Sequence, residues 1–150
     1  MSITSTDHIV IVVADIEDGI RNWRDDFGLP LSHTVDQEEA GIRQAFLSLD
    51  DGTFIELIGP SGDDSPIAGT LESRGEGVHV VALTVDDLDA TVESLQERGV
   101  NLIGVGSPQV FIHPKSANGV MVQLWPRDRP HRWRDATADT GAQPNPEASR

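Results

Sequence analysis

Asp7-His8-Ile9-Val10-Ile11-Val12-Val13-Ala14-Asp15 decides the fold, because it occurs twice. It returns in altered form as Val78-His79-Val80-Val81-Ala82-Leu83-Thr84-Val85-Asp86. Each copy is a histidine, a β-rich apolar run and an aspartate. Each leads into a helix-like segment that closes on a glycine, in Phe27-Gly28-Leu29 and again in Arg98-Gly99-Val100. The register holds from His8/His79 through Asp15/Asp86 to Gly28/Gly99. A periodic pair of this size points to two copies of one supersecondary unit.

Working outward, residues 7–14 read as a buried strand and Asp15 as a helix N-cap, with Asp18 in the first turn. Residues 16–26 read as an amphipathic helix with Ile16, Ile20, Trp23 and Phe27 near helical spacing, and Gly28 suits its C-cap. Strands follow at 29–35, 41–49 and 53–58. The acidic turn Asp36 to Ala40 and the hairpin signal Asp50-Asp51-Gly52 separate them. Residues 59–77 form a Gly-, Ser-, Pro- and Asp-rich joint, with a short helix expected at Pro66–Ser73 behind Ser65. The second copy gives a strand at 78–85, Asp86 as N-cap and a helix at 87–97 with Leu88, Val92 and Leu95 on one face. Strands are expected at 102–105, 109–113 and 120–125. The last hairpin repeats too: Asp51-Gly52-Thr53-Phe54-Ile55-Glu56-Leu57 matches Asn118-Gly119-Val120-Met121-Val122-Gln123-Leu124. The fold class is therefore α+β, with two tandem βαβββ modules at about 6–58 and 78–125. Both belong to one domain spanning 1–135, and the polar segment 136–150 is expected to be a disordered tail.

Composition narrows the function classes. A chain of 150 residues suits one compact domain or two small modules. It contains no cysteine, which removes disulfides and thiol nucleophiles and makes the cytoplasm the default compartment. No apolar run approaches the roughly 20 residues of a membrane span, and residues 1–6 do not resemble a secretory signal. The net charge is −14 and Lys115 is the one lysine. Nucleic acid is excluded as a partner, because binding it needs a basic face.

Each repeat places two polar residues in otherwise apolar strands: His8 and Glu56 in the first, His79 and Gln123 at the matching places in the second. Glu56 lies between Phe54-Ile55 and Leu57-Ile58, a costly setting for an uncompensated carboxylate. A lone strand histidine is ordinarily a satisfied core residue. Four polar residues at repeat-equivalent positions call for a shared explanation. Two imidazoles, a carboxylate and an amide make a mixed N/O donor set for a divalent first-row metal, and the lack of sulfur argues against structural zinc. His33, His113 and His131 have no repeat mate and read as surface or loop residues. Trp23, Phe46 and Trp125 read as core.

At these residues the chain resembles the vicinal oxygen chelate superfamily, which includes glyoxalase I, extradiol dioxygenases and methylmalonyl-CoA epimerase, and most of all the epimerase branch. The stretches that carry the resemblance are Asp7-His8-Ile9, Gly41-Ile42-Arg43-Gln44-Ala45-Phe46, Ile55-Glu56-Leu57-Ile58-Gly59-Pro60, Asp64-Ser65-Pro66-Ile67-Ala68, Arg74-Gly75-Glu76-Gly77-Val78-His79 and His113-Pro114-Lys115-Ser116. The resemblance covers about residues 6–126. It implies paired βαβββ modules forming an open, cupped mixed sheet around a metal (Co, Ni, Mn, Zn or Fe), with His8, Glu56, His79 and Gln123 as ligands. It also implies a homodimer and a small-molecule substrate with vicinal oxygens. The chain departs from the branch at Gln123, where epimerases carry a glutamate, and at His79-Val80, where they carry a His-His pair. The loop around Gly104 to Pro108 is shortened.

The chemistry so implied is a metal-dependent isomerase, epimerase or lyase that moves a proton next to a carbonyl, with Glu56 as the base. The substrate is a methylmalonyl-CoA-like thioester, a glyoxalase-type substrate or another small carbonyl compound. An extradiol-type dioxygenase is a second enzymatic possibility. A binding protein of the bleomycin-resistance type is the alternative from another class.

Overall fold

The computed structural model describes residues 2–129; the expected tail at 136–150 and His131 lie outside the described residues. Eight strands and three α-helices follow one another in an α+β arrangement. The strands are β1 Ile3–Val12, β2 Leu31–Gln37, β3 Ile42–Ser48, β4 Phe54–Pro60, β5 Gly77–Val85, β6 Leu102–Ile103, β7 Val110–Ile112 and β8 Val122–Pro126. The helices are α1 Ile16–Ile20, α2 Ala68–Arg74 and α3 Leu88–Glu97. The chain forms two compact units: Val10–Val78, and residues up to Ile9 together with His79–Arg129. The first part of β1 thus belongs with the strands of the second repeat.

In the unit Val10–Val78 the strands run β2-β3-β4-β1, with β2, β3 and β4 antiparallel. Asp15 caps α1 as expected, its carboxylate accepting from the Asp18 amide at 3.0 Å. Ile16 and Ile20 are buried, and Gly19 lets the helix lie close: a Cβ there would sit 3.2 Å from Leu57 Cδ1. The helix does not continue in α form to residue 26. Arg21–Asp26 widens into a π-helical turn, in which the Phe27 amide reaches back to the Asn22 carbonyl at 3.0 Å. Widening takes the trailing residues off the 3.6-residue period. Phe27 is accordingly exposed, with Trp23 set edge-on against it, and neither joins the core that the sequence spacing suggests.

In the other unit the order is β1-β5-β8-β7-β6, with β5 and β8 parallel and β8, β7 and β6 antiparallel. Helix α3 packs Leu88, Val92 and Leu95 against Val85, Val110, Ile112, Val122 and Leu124. Its cap is Asp87, which accepts from the Ala90 amide at 3.0 Å, and not Asp86. Asp86 instead pairs with Arg127 at 2.7 Å. The tight turn before β7 requires Gly104 (φ +77): a Cβ there would fall 2.2 Å from the Gln109 carbonyl oxygen.

Candidate active site

The unit built on β1, β5 and β8 carries His8, His79 and Gln123. Side chains alternate between faces along a strand, and residues opposite each other in a pair share a face. Leu83 lies opposite Leu124, and Ala82 opposite Gln123. Leu83 and Leu124 belong to the cluster under α3, so Ala82 and Gln123 point to the other face. Phe111, opposite Gln123, and Trp125 and Val80, by alternation, share it. His8 is on this face as well, since its ring meets Trp125 edge-on with centroids 5.9 Å apart. The strand pairing agrees. The Asp86 amide donates to the Ser2 carbonyl at 3.1 Å and the Thr4 hydroxyl to the Thr84 carbonyl at 3.3 Å. Carried along β1 and β5, this antiparallel pairing sets His8 opposite Val80.

His79 is therefore on the α3 face with Val81 and Leu83, and this unit does not bring it together with His8 and Gln123. The cause is a slip of one residue between the repeats. Asp15 caps α1, but the capping aspartate of α3 is Asp87, one residue further on than the sequence repeat places it. The same slip in the strand makes Val80 the mate of His8. A one-residue shift turns every side chain of a strand to the other face.

His8 is fully buried, and its Nδ1 lies 2.7 Å from Oδ2 of the buried Asp7. An ionised Asp7 accepts the Nδ1 proton, which leaves Nε2 as the nitrogen with a lone pair. Gln123 is also fully buried, and neither Oε1 nor Nε2 has a hydrogen-bond partner among the described residues. Each such atom costs about 1–3 kcal/mol if nothing satisfies it, so this amide is a site that a ligand would complete.

The unit Val10–Val78 carries Glu56. Glu56 lies opposite Phe46, and Gln44 opposite Ile58 and Val35, so all share the face turned away from α1. Glu56 has no exposed surface, and its Oε2 accepts from Gln44 Nε2 at 2.9 Å. Gln44 is equally buried, and its Oε1 accepts from Gln37 Nε2. This Gln37–Gln44–Glu56 chain supplies the donor that a carboxylate removed from water requires. Phe46, Phe54 and Val35 form the apolar wall beside it. His33 stacks on Phe46 at 4.8 Å, and burial pulls its pKa below the ordinary histidine value. The Ser32 hydroxyl lies 2.7 Å from His33 Nδ1. His33 thus lines this face rather than a loop. His113, by contrast, serves locally, accepting from the Lys115 amide at 3.0 Å.

Gln44 and Gln37 escaped the repeat logic because their significance is not symmetric between modules. A signal was present all the same: Gln44 is a polar residue inside the apolar run Ile42 to Leu47, the anomaly that singles out Glu56.

The expected donor set for a divalent metal does not fit. Its second imidazole faces α3, and an apolar side chain, Val80, faces His8. Among the described residues no three His, Cys, Asp or Glu side chains gather closely enough to hold a metal ion.

This α+β architecture is a pair of βαβββ repeats with a buried polar residue set into several of its apolar strands. The chain belongs to the glyoxalase/bleomycin resistance protein/dioxygenase superfamily, whose family model matches residues 7–116. It is similar to the mitochondrial methylmalonyl-CoA epimerase of Dictyostelium discoideum, with 35% identity over 132 residues, 83% of this chain and 79% of that protein. The ethylmalonyl-CoA/methylmalonyl-CoA epimerase of Cereibacter sphaeroides is 34% identical over 126 residues, 78% of this chain and 93% of that protein. Among solved structures, methylmalonyl-CoA epimerase from Mycobacterium tuberculosis superposes with a TM-score of 0.70 at 35% identity, covering 85% of this chain and 90% of that one.

Proposed function

We propose that this chain is an epimerase-type isomerase, or a glyoxalase-like lyase, that moves a proton at a carbon next to a carbonyl. The observation that carries the reading is Glu56, a fully buried carboxylate with one oxygen held by Gln44. The Gln44 bond holds Oε2 and so orients the carboxylate. Glu56 takes the proton from the α-carbon, the C–H pair moves into the carbonyl to give an enolate, and return of the proton completes epimerisation. The names of the relatives support an acyl thioester as substrate. The net charge of −14 speaks for a less phosphorylated carbonyl compound in its place. A binding protein of the bleomycin-resistance type is the second reading, favoured by Val80 on the His8 face.

The test is solvent-deuterium incorporation at the α-carbon, followed by NMR across methylmalonyl-CoA, a simpler thioester of the same acid and a glyoxalase-type hemithioacetal. Glu56→Gln is expected to lower exchange by at least about a hundredfold, the lower end of general-base contributions. Full exchange by Glu56→Gln would place the base elsewhere. Saturable binding of these compounds without exchange would establish the binding protein.

A further inference from the structure

We infer that this chain does not hold a divalent metal on its His8 face, and that Val80 is the residue responsible. The inference concerns metal occupancy and stands apart from the role proposed for Glu56.

His8 has the features of a ligand: a buried imidazole whose Nδ1 is backed by Asp7 at 2.7 Å. A supporting carboxylate of this kind fixes the tautomer and ring orientation of metal-bound histidines. The nearest place for a second imidazole to join it is the same face of the neighbouring strand β5. That position, opposite His8, belongs to Val80, which is 2% exposed and offers only methyl groups. His79, one residue earlier, alternates to the face covered by α3. Gln123 adds an amide oxygen, a weak neutral donor that does not replace an imidazole for a first-row metal. The pairing of an apolar Val80 with an unsatisfied Gln123 amide suits an organic ligand. The amide can donate from Nε2 and accept at Oε1 at once, as in pairing with a carboxamide or a protonated carboxyl group.

Val80→His places the missing imidazole beside His8, and a latent metal site should appear. The experiment uses tag-free full-length protein dialysed against Co, Ni, Zn or Mn ions, followed by metal analysis, with Co(II) visible absorption reporting nitrogen coordination. The wild-type protein is expected to retain well under half an equivalent of each ion. Val80→His, checked for folding by circular dichroism, is expected to bind Co or Ni at least about tenfold more tightly, which is the lower end of what even a supporting partner of a ligand contributes. His8→Ala in that background should remove the gain. Should Val80→His fail to fold, Gln123→His supplies an imidazole from β8 on the same face and is expected to show the same gain. The wild-type measurement decides independently of either variant: uptake of a full equivalent that is lost in His79→Ala would overturn the inference. So would a folded Val80→His protein with no gain in affinity. Neither result bears on deuterium exchange by Glu56, so the two readings fail separately.

Discussion

Gln44 is a neutral residue with two bonds to keep. Its amide nitrogen serves the buried Glu56, and its amide oxygen takes the donor of the partly buried Gln37. Replacing it with leucine keeps the volume but leaves Glu56 Oε2 without that donor and Gln37 without that acceptor. We expect Gln44→Leu to lose about 1–3 kcal/mol of stability, the cost of buried polar groups left unsatisfied, as measured by urea denaturation. Deuterium exchange should fall at the same time, because the carboxylate proposed as the base is no longer held in one orientation. An unchanged denaturation midpoint would show that the glutamine chain is not coupled to Glu56. Gln123 presents the contrasting case, a buried amide completed by no described residue, whose contribution should appear only when a ligand is present.

Helix α3 tests the slip between the repeats directly. Asp87 accepts from the Ala90 amide, whereas Asp86 makes a solvent-exposed pair with Arg127. Asp87→Ala should therefore cost about 1 kcal/mol, a typical loss for an N-cap, in thermal or chemical denaturation. Asp86→Ala should cost clearly less, since exposed ion pairs contribute about 0–1 kcal/mol. The reverse order would restore the register read from the sequence, and with it His79 as the mate of His8. At this scale much was legible. The repeat placed the strands and helices, Asp15 and Gly28 bounded the first helix, and Leu88, Val92 and Leu95 marked the buried face of α3. Glu56 was visible as a carboxylate in an apolar strand. The facing of His79 was not legible, because counting residues from histidine to aspartate is insensitive to a shift of one, whereas a pleated strand inverts under it. The π-helical turn at Arg21–Asp26 was hidden for a related reason: the period of the apolar positions says nothing about a turn that changes the period itself.

For the whole molecule, the strand orders leave β2 as the edge of one unit and the short β6 as the edge of the other. An edge strand exposes unpaired backbone groups and is covered or blunted in stable proteins. We predict a homodimer, with a mass by light scattering of about twice 16.2 kDa at micromolar concentration. A monomer mass under those conditions would remove the expectation. The division of β1 has a further consequence, in time rather than in space. Residues up to Ile9 leave the ribosome well before the rest of their unit, which is completed only by β8, near the end of the described chain. That part of β1 must wait for its own unit while the stretch Val10–Val78 emerges and settles. A strand segment held open through synthesis is an aggregation hazard in a slow-closing topology. The polar opening of β1, Thr4 to Asp7, is the part of the strand that would keep the waiting peptide in water.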